Sequence, residues 1–410
     1  MPNNKFELNF DNTQKAFAYK NDKDLKKARF LFNIMQWGPL VRLGSIITPI
    51  LIKLKLPVKK VIKNTIFEQF VGGESLEKTA DVCNKLNSYQ VQVILDYGIE
   101  GGEYNDEKYD EATAEFIKVI QYAASKKNIP FISIKITGIT SISLLEKLNI
   151  SIGLGEGKNI FTDFNNMLYS LNESDKISWD KLMQRIRLIC TEANETGIGV
   201  MIDAEESWIQ DPIDFVAKIM MEEYNGKTAV VFNTVQLYRK DRLEFLKSSV
   251  THAEQNNYQY GVKLVRGAYM EKESKRALRN GYANPIQENK SDTDADYNEA
   301  VSLCLKNINT ISTILASHNE NSNLIAAKLM LEKQEEKHPN LHFSQLYGMS
   351  DNLSFNLADA GFNVSKYLPF GPIEEVIPYL MRRAQENSSI SGQTSRELDL
   401  IKKECNRRVI

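Results

Sequence analysis

Cysteine is scarce: four residues in 410, Cys83, Cys190, Cys304 and Cys405, far apart and without the paired spacing of a zinc or redox motif. That scarcity excludes a disulfide framework and suits reduced thiols in a cytosolic-type compartment, each read as a small buried hydrophobe. Histidine is equally sparse. His252, His318, His338 and His342 form neither a His-Glu-x-x-His helix nor another compact ligand spacing, so no metal is expected. No apolar run reaches the length of a membrane span, and Met1-Pro2-Asn3-Asn4-Lys5-Phe6 lacks the charged-then-apolar pattern of a secretory signal. An excess of one charge is missing too: 51 Lys and Arg against 53 Asp and Glu give a formal −2 with no long basic tract, which counts against nucleic acid as a partner. Nucleotide loops fail on inspection. Gly153-Leu-Gly-Glu-Gly-Lys158 has neither the Walker spacing nor a Ser or Thr after its Lys, and Asp292-Thr-Asp-Ala-Asp296 starts like a calcium loop but puts Tyr297 where Gly is required.

What is present is alternation. Short β-branched runs occur at Val91–Tyr97, Phe131–Thr137, Gly199–Asp203, Ala229–Gln236, Tyr260–Ala268, Thr313–Asn319, Leu341–Met349 and Val364–Phe370. Helical patterns separate them, around Glu111–Lys126, Trp179–Glu195, Ile213–Glu223, Arg239–Asn256, Met270–Ile311, Asn321–His338 and Asp351–Ala360, with one more after the last run. Such alternation predicts parallel strands with crossover helices, and eight units predict a closed (β/α)8 barrel of the α/β class rather than a doubly wound sheet, because no Gly-x-Gly-x-x-Gly follows the first strand. Polar residues fall at the carboxyl ends of the runs, where a barrel has its mouth: Asp96, Lys135, Asp203, Gln236, Arg266, His318 and Gln345. Residues 147–178 read as an insertion and Ser388–Thr394 as a polar linker before a charged C-terminal helix. The organisation expected is a helical region 1–88, a barrel 89–387 and a linker with helix 388–410. Residues 39–66 mingle apolar side chains with Lys53, Lys55, Lys59, Lys60 and Lys63. They read first as packed helices broken near Pro49 and Pro57, and second as a contact for an anionic membrane surface.

Three stretches carry chemistry. After the eighth run, Gly371 and Pro372 precede a helix on which Ile373, Val376, Ile377, Leu380 and Ala384 share one face while Tyr379, Arg382, Arg383 and Glu386 share the other. A merely solvated second face is the plain reading; an anion site is the sharper one, and Pro378 adds a bend. Gly261-Val-Lys-Leu-Val-Arg-Gly-Ala-Tyr269 is a strand ending in cations, where Lys263 and Arg266 can neutralise a phosphate or a reduced ring and Gly267-Ala268 let a flat group approach the backbone. Lys135 reads as a Schiff-base lysine, as a carboxylate-binding cation, or as the partner of Asp203, while Asp203 and Glu205 read as orienting counter-ions more than as an acid/base pair.

Together, Ser-Ile-Lys135, Ile-Asp203-Ala-Glu-Glu, Val-Gln236-Leu-Tyr238, Lys263-Leu-Val-Arg-Gly-Ala-Tyr269, Ser-His318-Asn, Gln345-Leu-Tyr-Gly-Met and Tyr367 through Asn387 resemble the monofunctional, FAD-dependent proline dehydrogenases over roughly Val91 to Asn387. The resemblance implies a distorted barrel with its last helix over the mouth. It implies oxidation of L-proline to Δ1-pyrroline-5-carboxylate, hydride passing from proline C5 to flavin N5 and electrons to a membrane quinone. By the same resemblance Arg382, Arg383 and Lys135 bind the carboxylate and Glu386 holds the arginines. Tyr367, Tyr379, Tyr269 and Leu264 wall the ring, and Asp203 supports Lys135 or the flavin side. The implied FAD contacts are Gln236, Lys263, Arg266, Gly267 and Ala268, then Lys290 and Thr293, and finally His318, Asn319 and Gln345. Lys263 stands where bifunctional members carry arginine, Tyr347 replaces a histidine of some relatives, and Tyr367 favours proline over hydroxyproline. A cytoplasmic enzyme touching the membrane peripherally is implied. A Schiff-base aldolase built on Lys135 and a non-enzymatic amino-acid-binding barrel are the other readings of the residues.

Overall fold

The computed structural model describes residues 8–38, 59–98, 104–152, 168, 171–389 and 393–410. Eight strands close a parallel barrel in chain order: β1 (Gln92–Tyr97), β2 (Phe131–Ile134), β3 (Gly199–Ile202), β4 (Val231–Gln236), β5 (Tyr260–Val265), β6 (Ile311–Ala316), β7 (Leu341–Leu346) and β8 (Val364–Phe370). Every residue of β2, β3 and β4 is buried, as expected of strands covered on both faces, and this is why the β-branched runs were legible. All four cysteines are free and buried.

Several boundaries differ from expectation, each for a local reason. The second run stops at Ile134 and the chain turns through Ile136–Gly138 as a 3-10 helix. The fifth stops at Val265, before Gly267 at φ +144°. The seventh stops at Leu346, ahead of left-handed backbone at Gly348 and Ser350. Met270–Ile311 is not one helix but two, Met270–Asn280 and Lys290–Lys306, because Gly281 ends the first in a left-handed cap and the intervening loop pairs Ile286 with Arg239. A helix Ile142–Ile152 was not anticipated. The C-terminal end of the helix Ile373–Ser389 enters the expected linker. Residues 39–58 of the basic segment, 153–167 of the expected insertion with the Gly153–Lys158 loop, and 390–392 of the linker lie outside the described residues.

The chain divides into two compact units: residues 1–98, 318–338 and 342–410, and residues 99–317 with 339–341. In the first, Phe17, Leu25, Phe32, Phe67 and Phe70 from the N-terminal helices share a core with Val376, Ile377 and Leu380 and with Leu398, Ile401 and Cys405 of the C-terminal helix Gln393–Arg408. The apolar stripe anticipated on Ile373–Ser389 is buried, and Pro378 lies within that helix. Tyr379 and Arg383, expected on a separate dressed face, are also buried, at 6% and 7% exposure.

The second unit contains a buried polar chain behind β3 and β4. Asp214, on the helix Ser207–Tyr224, accepts from Asn233 at 2.9 Å, Gln210 at 2.8 Å and Arg242 at 2.6 Å. Gln210 in turn accepts the backbone N–H of Glu205 at 2.8 Å, so the loop leaving β3 is fixed from below. Asp214 is 1% exposed and Arg242 3%. Arg242→Ala therefore leaves a carboxylate buried without its guanidinium. Urea unfolding is expected to show a loss of about 3–5 kcal/mol; a variant as stable as the parent would contradict this role.

Candidate active site

In the second unit, residues from β2, β3 and β5 converge on one carboxylate. Asp203, just past β3, accepts from the Lys263 ammonium of β5 and from the Ser133 hydroxyl of β2. Burial alone would raise its carboxyl, but the charges of Lys263 and Lys135 and these hydrogen bonds hold it below the usual carboxylate range. Asp203 is thus a counter-ion kept ionised. Its contact ion pair is with Lys263, while Lys135, in the turn after β2, adds its charge.

Glu205 serves the same turn from the other side. Its carboxylate accepts the Thr137 N–H at 3.1 Å and the Thr137 hydroxyl at 2.6 Å, which pins the 3-10 turn whose first flanking residue is Lys135. Burial pushes the Glu205 carboxyl up to about 7, against the Thr137 hydrogen bond and the charge of Lys135. Beside it, Gln236 at the end of β4 donates to the Glu205 carbonyl at 2.8 Å.

At the end of β5, Arg266 lies over the ring of Tyr297, 4.3 Å from its centroid. It donates through Nε to Asp294 at 2.7 Å and through Nη1 to the Ser317 hydroxyl at 2.6 Å. Asp294 also receives Lys290, and although burial raises its carboxyl, Lys290 and Arg266 hold it lowered. Thr293 is buried in the same helical turn. Gly267 has a physical requirement other than the one expected: a Cβ there would lie 2.3 Å from the Tyr238 ring, so that ring already occupies its close approach. Gly267 and Ala268 are exposed and Tyr269 is buried. Leu264 is wholly buried and, by strand alternation, points to the face of β5 opposite Lys263.

The first unit holds the remaining expected residues. The Arg383 guanidinium carbon lies 5.2 Å from the centroid of the Tyr379 ring, a cation over an aromatic face one turn back on the same helix. Arg382 is half-buried, as is Tyr367 on β8. Glu386 falls within the helix Ile373–Ser389, but its side chain lies outside the described residues. His318 Nδ1 is 2.8 Å from the Ser350 hydroxyl. Asn319 caps the helix Glu320–Lys333 by accepting the Ser322 N–H at 3.0 Å. Gln345 accepts from Ser354 at 2.8 Å and donates to Asn323 at 3.3 Å.

Sequence reasoning missed the supporting partners. Ser133, Thr137, Asp294 and Ser317 each sit one to four residues from a residue that was singled out, so proximity in the chain was a usable signal for them. Glu273 was not findable that way: wholly buried, it accepts the N–H and hydroxyl of Ser207 at 2.7 and 2.6 Å, across 66 residues of sequence. Lys366, fully buried on β8, was passed over inside a run read only for its strand. Among the described residues, no group of three His, Cys, Asp or Glu side chains is placed to hold a metal.

A family model described as proline dehydrogenase matches residues 79–396, which include all eight strands and the arginine-bearing helix. Proline dehydrogenase 1, mitochondrial, of Dictyostelium discoideum is 34% identical over 87% of this chain and 67% of its own. Proline dehydrogenase 2, mitochondrial, of Arabidopsis thaliana is 31% identical over 100% of this chain and 92% of its own. A hydroxyproline dehydrogenase of Xenopus laevis is 31% identical over 85% and 78%. Among solved structures, proline utilization A from Bdellovibrio bacteriovorus, inactivated by N-propargylglycine, superposes with a TM-score of 0.68 at 21% identity. That match covers 92% of this chain and 38% of the larger protein, and it speaks to the fold. With a matching family model across the whole barrel and relatives of this identity along most of its length, the chain belongs to the proline dehydrogenase family and is an oxidoreductase of that family.

Proposed function

We propose that this chain oxidises L-proline to Δ1-pyrroline-5-carboxylate using bound FAD. The observation that carries the reading is the convergence of Lys135, Asp203 and Lys263 from three strands, with Asp203 held ionised. The donor set fits FAD: Gln236 and Lys263 stand near the ends of adjacent strands, Arg266 follows, and each is fixed in advance by Glu205, Asp203 or Asp294. When bound, FAD supplies the acceptor, at its N5, for the hydride leaving proline C5. Lys263 and Arg266 would hold the flavin from this end and would supply positive charge to balance its reduced form. Asp203 keeps Lys263 in position, and Glu205, through Thr137, does the same for the turn that carries Lys135.

In the first unit, the cations Arg382 and Arg383 are assigned to the substrate carboxylate. A guanidinium recognises a planar carboxylate through paired N–H donors, and Tyr379 keeps Arg383 oriented from below. In the first unit, Tyr367 is assigned to the pyrrolidine ring, where it favours proline over its hydroxylated analogue.

Anaerobic proline added to the purified protein should bleach a flavin absorption band; a colourless protein, or a yellow one indifferent to proline, overturns the reading. In the same assay Arg383→Ala should stay yellow yet need at least about tenfold more proline, as loss of a charge-assisted hydrogen bond of roughly 1.5–3 kcal/mol requires.

Electrons are proposed to pass to a membrane quinone through peripheral contact. No described helix is long and apolar enough to cross a bilayer. The helix Asp22–Met35 nevertheless exposes Lys23, Lys26 and Lys27 in line with Phe30, at 63% exposure, and Trp37 just beyond it, at 71%. Basic and aromatic side chains on one stripe suit an anionic interface. Flotation with phosphatidylserine vesicles should retain the parent protein, and reversing Lys23 and Lys26 to Glu should weaken binding about tenfold or more, at roughly 1 kcal/mol per lysine. Equal flotation of the two proteins would remove this helix from the contact.

Glu205 makes a pH prediction. Its folded pKa of about 7 lies above the usual 4.5, so the folded chain holds that proton more tightly than the unfolded chain does. Its contribution to stability is present at low pH and is lost as pH rises from 4.5 through 7. Glu205→Gln keeps an oxygen acceptor for Thr137 without the charge. The melting temperature of the parent should therefore fall relative to Glu205→Gln between pH 5 and pH 8, and parallel curves would show that Glu205 does not titrate there.

A further inference from the structure

The turn between β7 and the helix Asp351–Asp359 is held residue by residue from distant parts of the first unit. Gly348, at φ +78°, has its carbonyl bonded by the Gln69 amide at 2.7 Å, and a Cβ there would lie 2.0 Å from the Gln69 carbonyl oxygen. The Met349 carbonyl accepts from the Lys366 ammonium at 2.6 Å. The Ser350 N–H donates to Glu397 on the C-terminal helix at 2.8 Å. Asp351 receives the Tyr19 hydroxyl at 2.7 Å and the Lys366 ammonium at 2.9 Å, with the Lys20 ammonium 3.9 Å away. Four consecutive residues are thus gripped from the N-terminal helices, β8 and the C-terminal helix.

Ser350 is the strained member of this turn. Its backbone is left-handed, φ 49° and ψ 45°, a conformation that side-chain-bearing residues outside Asn and Asp rarely take. It is 4% exposed and Glu397 6%. Without Glu397 the Ser350 N–H would be a buried donor with no acceptor in this set, and the left-handed backbone would lose the one contact made to its N–H while its carbonyl stays bonded by the Leu353 and Ser354 N–H groups. The consequence reaches His318. Held this way, Ser350 presents its hydroxyl to His318 Nδ1 at 2.8 Å, and that bond restrains the orientation of the imidazole ring.

We propose that Glu397 is a positioning residue for His318, acting through Ser350, so that the C-terminal helix sets the geometry of a flavin-contacting side chain at the end of β6. The link to flavin rests on the FAD reading above; the mechanical link rests on the structure of this turn.

The test uses the full-length, FAD-loaded protein labelled with 15N-histidine, in which four histidines give a tractable spectrum. His318→Ala assigns the resonance. Ser350→Ala and Glu397→Ala should both move the His318 Nδ1 signal and raise the FAD dissociation constant, measured by rebinding to the apoprotein, roughly three- to tenfold. Glu397→Gln keeps an oxygen for the Ser350 N–H and should restore the parent values in both readouts; it also stands in if Glu397→Ala does not fold. An unchanged His318 signal in Ser350→Ala, or a Glu397→Gln protein that behaves like Ser350→Ala, overturns the proposal. If the signals move but His318→Ala binds FAD as tightly as the parent, the flavin link falls while the mechanical link stands.

Discussion

The ion pair between Asp203 and Lys263 is the interaction on which the candidate site of the second unit depends. A carboxylate at this depth is costly unless a cation meets it, and the cation comes from β5, 60 residues away. The pair therefore ties the end of β3 to the end of β5. The Ser133 hydroxyl brings β2 into the same contact. Because Asp203 stays charged, Lys263 keeps a fixed place, and the positive character of the strand ends is bounded rather than diffuse. Lys135 stands within reach of the same field, and its backbone is fixed separately by the Thr137–Glu205 contact. Two carboxylates thus divide the work: one balances charge and the other holds a turn.

The same principle recurs behind the strand ends. Asp214 satisfies three donors and, through Gln210, locates the Glu205 backbone. In the first unit, Lys366 and Asp351 form a buried pair around the turn after β7. Burial lowers the Lys366 ammonium, against the opposing influence of Asp351. In both units an ordered loop after a strand is obtained by burying polar groups whose partners come largely from other elements. Such networks tolerate few geometries, and this is what lets them place a loop side chain precisely enough to matter chemically.

The barrel itself was legible because strands buried on both faces must be apolar runs and crossover helices must carry a 3.6-residue stripe. Val376 and Leu380 were readable as core on those grounds. The ends of strands were not, because left-handed backbone at Ser350 and the φ of Gly267 are set by tertiary partners rather than by propensity. Gly267 shows the difference: its residue type correctly signalled a close approach, but the approaching ring is Tyr238. Residues 270–311 looked like one helix because Gly281 and Pro285 break it without a change in polarity. The partners that fix the site were the least legible. Ser350 and Glu397 lie 47 residues apart, and nothing in either one's neighbourhood announces the other.

Exposure separates the cations that hold the fold from those suited to a ligand. Lys366 has no exposed surface and Asp351 1%, so that ammonium is fully committed to the turn it grips. Arg266 keeps 21% of its side chain exposed and Lys135 is half-buried, so each retains surface that a bound anion can meet. Arg383 is a third case. At 7% exposure it lost most of its hydration when the chain folded, and the face of Tyr379 offsets part of that loss. For the proposed carboxylate contact, little water remains to be stripped from such a guanidinium. The carboxylate's binding energy then reflects the charge-assisted contact more fully than it would at a solvated arginine. A small substrate with one carboxylate and few other polar handles gains most from a cation prepared in this way.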